Sequence, residues 1–545
     1  MKASELMVKA LENEGVEYIF GVPGEENLDF VQALSQSTIQ LIITRHEQAA
    51  AFMAATFGRL TAKPGVCLST LGPGATNLVT GVAYGLLGGM PMVILTGQKP
   101  ITKSKQARFQ IIDVVHMMQP ITKMTKQIVD ANNIPSLIRE SFRIAQFEKP
   151  GPVHLELPED IAEEQVDRRP FPVTIPATPA ASNDSIVRAA GIISQAKKPL
   201  VVLAAGANRR DTPHAIQTFI EKTGIYFLTT QMGKGIVDEN NPRCLGTAAL
   251  SDGDYVHTAI DEADLIINIG HDVSEKPPFF MTEGGVDVLH INFSPAEMDD
   301  VYFPQYELVG CISTNISLLA TALEDAGEWP VSAYAEIEAR IQKDIFSQTD
   351  FPFASPQYIV SQVRQAVDKK GIISLDNGFY KIWFSRNYVA YEPNSVLLDN
   401  ALASMGAGLP AAMAAKMVHP DRTVVAVCGD GGFMMNSQEL ETAMRLQLNL
   451  VILVLRDNAY GMIKWKQADM AFEDFGLDFG NPDFVQYANS YGAEGYRVQQ
   501  DESLSEVIQR CIAKGGVQLI EMPVDYYACD KTLPSNLIEK MLPQH

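Results

Sequence analysis

Short apolar runs alternate with amphipathic stretches along the whole chain. Examples are "GVCLSTLGPG", "MPMVILTG", "KPLVVLAAG", "ADLIINIG", "TVVAVCGDG" and "LNLVILVLRDN", each of which ends in Gly or Asn. Short runs rich in Val, Ile and Leu and bounded by such residues indicate strands that are buried on both faces. The amphipathic stretches between them predict helices, so the pattern favours parallel α/β sheets throughout.

Two segments interrupt this alternation. "DRRPFPVTIPATPAASND" (167–184) is rich in proline and has no helical period, and "FSQTDFPFASPQ" (346–357) follows a polar amphipathic helix. Both are typical of linkers. The sequence therefore predicts an α/β fold with three doubly wound parallel-sheet domains, near 1–165, 185–335 and 355–545.

Composition narrows the class of protein. The chain has 545 residues, a formal net charge of −22 and 46% hydrophobic residues, which is typical of a multidomain globular enzyme. Such a negative field repels nucleic acid and anionic membranes, so we expect neither as a partner. The six cysteines have no metal-binding spacing, the N-terminus is not a signal peptide, and no apolar run is long enough to span a bilayer. We expect a cytoplasmic protein with reduced cysteines.

The stretch "VAVCGDGGFMMNSQELETAM" (424–443) places an acid between glycines where a strand gives way to a helix. Ligands of open α/β sheets bind beyond the carboxyl ends of strands. The glycines allow a close approach of the backbone, and the helix offers free N–H groups to an anion. Asp430 would repel a phosphate unless a cation lay between them, so this motif predicts Mg²⁺ bridging a diphosphate.

A second acidic strand end follows closely. "NLVILVL" reads as the next strand, and Asp457 and Asn458 stand at its tip in "RDNAYGM". One helix and one strand separate the two tips, so we expect Asp430 and Asp457 on adjacent strand ends, close enough to share one ion. An isolated GDG is usually only a turn, whereas the pair indicates a functional site.

The first third of the chain carries further candidates. Glu47 lies at a strand-to-helix junction in "LIITRHEQAAAFMA", among Ala, Phe and Met, although a capping or solvated glutamate is the alternative. "STLGPGATNLVTGVAYG" repeats the glycine-rich junction, with Pro73 and Asn77. "RFQIIDVVHMMQPITK" carries Phe109 and Gln110, with Asp113 and His116, in a predicted loop.

Together, "GVPGEENLD", "RHEQAAAFMA", "LGPGATN" and "CGDGGF…LRDNAYGM" resemble the thiamine-diphosphate enzymes over nearly the whole chain. Within them, "ARFQIID…ITK", "LASMGAGLPAA" and "DNAYGMI" are most similar to the acetolactate synthases. The resemblance implies a first domain that binds the aminopyrimidine, a central Rossmann-like domain, and a last domain that binds diphosphate and Mg²⁺.

The resemblance also implies roles for single residues. Glu47 would hydrogen-bond N1′ of the pyrimidine from the neighbouring subunit, and Gln110 would be a second catalytic residue, beside the substrate. Asp430, Asp457 and the backbone carbonyl of Ala459 would be the metal ligands. The other implied contacts are Pro73, Asn77, Tyr460, Gly461 and Met462 around the pyrimidine, Gly431 and Gly432 at the diphosphate, Met405 under the bent coenzyme, and Phe109 and Lys466 near the substrate.

Several positions depart from the family pattern. Asp457-Asn458 replaces the usual Asn-Asn, which is similar to the catabolic branch of the acetolactate synthases. "HDVSEKPPFF" (271–280) replaces the flavin-binding segment of the biosynthetic branch, which favours an enzyme without FAD. Lys466 takes the place of a tryptophan that favours 2-ketobutyrate, so pyruvate is the expected acceptor. Glu25 and Glu26 replace small or basic residues, and they either influence the choice of acceptor or face solvent.

The resemblance implies that two pyruvates become 2-acetolactate and CO₂, with thiamine diphosphate and Mg²⁺. Three alternatives stay open: another thiamine-diphosphate decarboxylase, carboligase or oxidase, a biosynthetic acetohydroxyacid synthase catalytic subunit, and an inactive homologue with a regulatory role. The pathway would be that of butanediol or of branched-chain amino acids. A homodimer is the expected minimum and a homotetramer the expected assembly.

Overall fold

The computed structural model describes residues 1–102, 107–175, 177–250, 253–254, 256–275, 278–324, 329–330, 334–346 and 349–526. Within these residues the strands form three six-stranded sheets, and every pairing between their strands is parallel. Parallel neighbours need long crossovers, which the helices supply. The predicted fold class is confirmed. No helix in the described part of the chain is both apolar enough and long enough to cross a membrane.

The first sheet has the strand order β2-β1-β3-β4-β6-β5. Its strands are β1 Tyr18–Gly21, β2 Gln40–Ile43, β3 Gly65–Ser69, β4 Met92–Gln98, β5 Met124–Gln127 and β6 Pro152–Pro158. Its helices are α1 Ala3–Asn13, α2 Leu28–Leu34, α3 Glu47–Thr61, α4 Gly72–Leu87, α5 Val114–Met118, α6 Ile134–Gln146 and α7 Glu159–Ala162. β3, β4 and β6 are buried along their whole length, because helices cover both faces of the sheet.

The second sheet has the order β12-β11-β10-β7-β8-β9. Its strands are β7 Pro199–Leu203, β8 Tyr226–Thr230, β9 Cys244–Ala248, β10 Leu265–Ile269, β11 Asp287–Asn292 and β12 Tyr306–Val309. The helices along this part of the chain are α8 Asn183–Gln195, α9 Thr212–Thr223, α10 His257–Glu262, α11 Ile312–Ala322 and α12 Ala335–Ile341. The expected flavin-segment replacement, 271–280, includes residues 276 and 277, which lie outside the described residues.

The third sheet has the order β14-β13-β15-β16-β18-β17. Its strands are β13 Ile372–Leu375, β14 Val396–Leu397, β15 Val424–Gly429, β16 Leu450–Arg456, β17 Glu494–Arg497 and β18 Val517–Pro523. The helices along this part of the chain are α13 Pro356–Ala366, α14 Lys381–Asn387, α15 Gly408–Val418, α16 Asp430–Asn436, α17 Glu439–Arg445, α18 Gly461–Asp469, α19 Phe484–Ser490 and α20 Leu504–Lys514. The central strands β15 and β16 are adjacent, so their carboxyl ends meet at one edge.

The chain forms two compact units. Unit 1 contains the first sheet together with α15 and α17, and unit 2 contains the second and third sheets. Their ranges are Met1–Ala177, Ala401–Pro420 and Asn436–Leu448 for unit 1, and Thr178–Asn400, Asp421–Met435 and Asn449–His545 for unit 2. The three domain ranges expected from the sequence stay a prediction.

Candidate active site

Glu47 occupies a buried strand-to-helix junction in unit 1. β2 ends at Ile43, and α3 begins at Glu47, where the His46 side chain caps the helix by accepting the Gln48 N–H at 3.1 Å. The alanine-rich sequence that follows has high helix propensity and packs closely in the core. The Glu47 side chain is 8% exposed, so it is not a solvated glutamate.

The start of α4 lies against the Glu47 carboxyl group. Asn77 Nδ2 donates to Glu47 Oε2 at 2.9 Å. A Cβ atom on Gly74 would lie 3.1 Å from Glu47 Oε1, so glycine permits this close approach. Pro73 lies in the first helical turn, where the missing N–H costs nothing. Glu47, Asn77 and the first turn of α4, which includes Pro73, therefore lie together in unit 1 as a candidate half-site.

Gln110 borders the same half-site. A Cβ atom on Gly72 would lie 2.6 Å from the Gln110 carbonyl oxygen, and Gly72 has φ +43°. Gln110 has φ +59°, and both Gln110 and Phe109 are exposed. The predicted loop is correct for these two residues but wrong for His116, which lies in α5, where the Asp113 carboxylate caps the helix and pairs with the His116 ring at 2.6 Å. This local capping pair keeps His116 beside Asp113.

Glu439, the first residue of α17, was not predicted as a site residue. Its carboxylate accepts the backbone N–H of Arg45 at 3.0 Å and of His46 at 3.1 Å, and the Thr442 hydroxyl at 2.6 Å. Glu439 is fully buried, and burial raises the pKa of its carboxyl group. It therefore fixes the two residues that immediately precede Glu47.

Glu26 is buried rather than solvated, whereas its neighbour Glu25 is exposed. The Lys99 ammonium lies 2.5 Å from Glu26 Oε1, and both side chains are almost completely buried. The Thr70 hydroxyl donates to the other oxygen of Glu26. Burial alone would raise the pKa of Glu26, but the bonds from Lys99 and Thr70 hold it below its ordinary value. The pair ties the "GVPGEEN" segment to the carboxyl end of β4.

In unit 2, Asp430 and Asp457 stand at the carboxyl ends of β15 and β16. Asp430 begins α16 and is 1% exposed, and Asp457 follows β16 directly. Asp430 Oδ1 accepts the Gly431 N–H at 2.9 Å, and Oδ2 accepts the Asn458 N–H at 2.8 Å. These bonds aim the Asp430 carboxylate at the tip of the neighbouring strand.

The two carboxyl groups are close enough to perturb each other. Burial and the charge and hydrogen bond of Asp430 raise the pKa of Asp457 to about 7. Two carboxyls held this close share a proton unless a cation lies between them. A hard divalent ion suits these oxygens. The described residues include no cluster of three or more His, Cys, Asp or Glu side chains that could bind a metal. An ion here would therefore take its remaining ligands from carbonyl, water or phosphate oxygens, and the residues present fit Mg²⁺ with a diphosphate.

Glycines let the elements at this edge pack closely. A Cβ atom on Gly432 would lie 2.5 Å from Asp376 Oδ2, and one on Gly461 would lie 2.7 Å from Asp457 Oδ2. A Cβ on Gly431 would lie 2.9 Å from the Tyr460 ring. Ala459 is buried in the turn between these elements, and Met462 follows Gly461 in the first turn of α18. The predicted residues of unit 2 thus lie together as a second candidate half-site: Asp430, Gly431, Gly432, Asp457, Ala459, Tyr460, Gly461 and Met462.

Asn481 is the residue of this half-site that sequence reasoning missed. Its Nδ2 atom donates to Asp430 Oδ2 at 2.7 Å and to Asn458 Oδ1 at 3.0 Å. Asn481 Oδ1 is buried and has no hydrogen-bond partner among the described residues. The only local signal was an Asn-Pro pair in "FGNPDF", which is typical of any turn.

Lys466 and Met405 have other surroundings. The Lys466 ammonium lies 4.2 Å from the centroid of the Trp465 ring and 3.5 Å from Asp469, and its side chain is largely exposed. Trp465 in turn stacks on Phe379 with 5.5 Å between centroids. Met405 is a half-buried residue of unit 1 that precedes α15.

Comparison with known proteins gives consistent matches. The family models described as the N-terminal TPP binding domain, the central domain and the C-terminal TPP binding domain of thiamine pyrophosphate enzymes match residues 1–117, 186–319 and 376–522. The chain is 33% identical to acetolactate synthase of Bacillus subtilis (strain 168), over 96% of this chain and 93% of that protein. It is 32% identical to the catabolic acetolactate synthase of Raoultella terrigena, over 96% and 95%. It is 30% identical to the large subunit of acetolactate synthase isozyme 1 of Escherichia coli (strain K12), over 96% and 94%.

Proposed function

Since the chain belongs to the acetolactate synthase family of thiamine-diphosphate enzymes, we propose that it joins two molecules of pyruvate to give 2-acetolactate and CO₂. The observation that carries the proposal is the opposed carboxyl pair of Asp430 and Asp457 at adjacent strand ends, in glycine-rich turns whose backbone approaches its neighbours closely. The two carboxylates are suitable oxygen ligands for Mg²⁺, and the ion can in turn bind a diphosphate.

Each half-site would contribute differently to the reaction. Asp430, Asp457 and the Ala459 carbonyl would bind Mg²⁺, and the backbone at Gly431 and Gly432 would face the diphosphate. When bound, thiamine diphosphate supplies the nucleophile and the electron sink for decarboxylation of a 2-ketoacid. The pyrimidine would lie against the other proposed contacts, Pro73, Asn77, Met405, Tyr460, Gly461 and Met462.

Glu47 would hold a proton at N1′ of the pyrimidine. Its burial excludes competing water, and Asn77 fixes one of its oxygens, so the other can face the coenzyme. Exposed Phe109 and Gln110 would border the substrate, and Gln110 lies close to the same helix start as Glu47. Lys466 would lie at the outer end of the substrate pocket, with pyruvate rather than 2-ketobutyrate as acceptor and without FAD.

We further propose that the active enzyme is a homodimer at least, and a homotetramer in the cell, with Glu47 acting on the coenzyme bound by the partner. The cytoplasm is the proposed location. Support comes from the family, in which the first and last domains both bind the coenzyme.

The test is product analysis with a matched variant. Purified protein with pyruvate, thiamine diphosphate and Mg²⁺ should form acetolactate, measured as acetoin after acid treatment. Glu47→Gln should lower kcat by about 100-fold or more, because the amide cannot exchange the proton. Glu25→Gln, at an exposed glutamate, is the control and should keep full activity.

An aldehyde or peroxide as the main product would point instead to a decarboxylase or an oxidase. Full activity of Glu47→Gln would contradict the proposed role of this residue. Denaturing the protein and identifying the released cofactors by mass and absorbance tests the proposal that FAD is absent.

A further inference from the structure

The ammonium group of Lys381 is buried at the edge of the third sheet where the carboxyl ends of the strands lie. The residue is 7% exposed. Its Nζ atom donates to Asn377 Oδ1 at 2.6 Å, to the Asp399 carbonyl oxygen at 3.1 Å and to Asn400 Oδ1 at 3.3 Å. These bonds fix the position of a side chain that is otherwise among the most flexible and most solvated in proteins.

The strand order shows how this group relates to the carboxyl pair. Asn377 lies just beyond the end of β13, and Asn400 just beyond the end of β14. β13 is the neighbour of β14 on one side and of β15 on the other. All these strands are parallel, so Lys381 shares an edge with Asp430 and Asp457. Two strand spacings, about 10 Å, separate the β13–β14 gap from the β15–β16 gap.

This edge is rich in carboxyl groups. Asp376 and Asp399 follow β13 and β14, and both are buried, as is Asp430. A diphosphate that approaches such an edge meets repulsion, which a divalent ion offsets only in part. Burying a lysine is costly, and a charge fixed in a site of low dielectric acts over a longer range than it would in water.

We propose that Lys381 supplies the fixed positive charge that favours binding of the coenzyme's diphosphate, together with the divalent ion. This inference rests on the proposed function, because it assumes that thiamine diphosphate binds at this edge. Lys381 is a positioning residue for the anionic end of the coenzyme. Its contribution should therefore grow with the charge of that end.

The experiment measures binding rather than turnover. Isothermal titration calorimetry of the apoenzyme with Mg²⁺ gives the Kd of thiamine diphosphate, thiamine monophosphate and unphosphorylated thiamine for each variant. Lys381→Met should raise the Kd of thiamine diphosphate by about 10-fold or more, as expected for one charge at this distance. The Kd of the monophosphate should rise less, and that of thiamine should not change.

Two further variants separate charge from packing. Lys381→Arg keeps the positive charge and should bind thiamine diphosphate more tightly than Lys381→Met. Lys370→Met removes an exposed charge from the same sheet region and should match the wild type. If Lys381→Met does not fold, Lys381→Gln, which keeps polar contacts without charge, replaces it in the same comparison.

A Kd for thiamine diphosphate that is unchanged in Lys381→Met or Lys381→Gln would overturn the inference. Equal weakening of all three ligands would also overturn it, because that result indicates a structural role. If the wild-type protein itself binds no thiamine diphosphate, the proposed function fails, and this outcome is distinct from either of the others.

Discussion

The carboxyl groups of Asp430 and Asp457 oppose each other across two strand ends, and burial together with this opposition raises the pKa of Asp457 to about 7. In the metal-free protein at pH 8 the charged Asp457 carboxylate destabilises the fold, because it is buried and repelled by Asp430. We expect Asp457→Asn to stabilise the metal-free protein by about 2 kcal/mol and to raise its Tm. Mg²⁺ should raise the Tm of the wild type more than that of the variant. Differential scanning calorimetry with and without chelator checks both effects.

Asp501→Asn is the control, since Asp501 is exposed and should show neither effect. An unchanged Tm in metal-free Asp457→Asn would mean that the charged Asp457 carboxylate does not destabilise the fold. Sequence reasoning could predict this pair, because successive strand ends of a parallel sheet meet at one edge. It could not predict Asn481, since the bond to Asp430 joins residues 51 positions apart that only the folded loop brings together.

At the scale of elements, α17 fixes the junction between β2 and α3. The buried carboxylate of Glu439 accepts the N–H groups of Arg45 and His46, the two residues immediately before Glu47. Glu439→Ala would leave both donors without this acceptor, and a displaced junction would move Glu47. We expect kcat to fall by about 10-fold or more, because small misplacements of catalytic groups are costly. Steady-state kinetics with saturating coenzyme measures this change.

Glu441→Ala is the matched control on the same helix, where the carboxylate pairs with partly exposed Arg445. If both variants keep the wild-type kcat, α17 does not position Glu47.

The runs of apolar residues correctly predicted the buried strands, because helices cover both faces of the sheets and both faces are therefore apolar. The apolar pattern failed for His116, since the short helix α5 depends on the cap from Asp113 and has too few turns to show a period. The contact between Glu439 and Arg45 spans 394 positions, beyond the reach of any local pattern.

At the scale of the whole molecule, the proposed assembly makes a sharp prediction. If each coenzyme takes Asp430 from one chain and Glu47 from another, two inactive variants should complement each other. Mixing Glu47→Gln and Asp430→Asn chains during refolding should restore about a quarter of the wild-type activity, because half of the random dimers are mixed and each holds one intact site. The acetoin assay measures the recovery.

Each variant refolded alone should stay inactive, and this is the control. No recovery from well-mixed, fully folded chains would place both residues in one subunit's site.

The three-sheet architecture could be predicted from the sequence, since each sheet depends on its own local alternation of strands and helices. The assembly could not, because apolar side chains that meet a partner chain do not differ in sequence from those that meet the same chain.

The buried pair of Glu26 and Lys99 constrains how this enzyme can evolve. Loss of either partner alone would leave the other charge unpaired in the interior, which lowers the stability by several kcal/mol. Relatives that lack one of these residues should therefore lack both. A mutational route from one state to the other must pass through a destabilised intermediate or through a neutral substitution such as Gln. Substitutions of Glu26 in "GVPGEEN" are best made by exchanging Glu26 and Lys99 together.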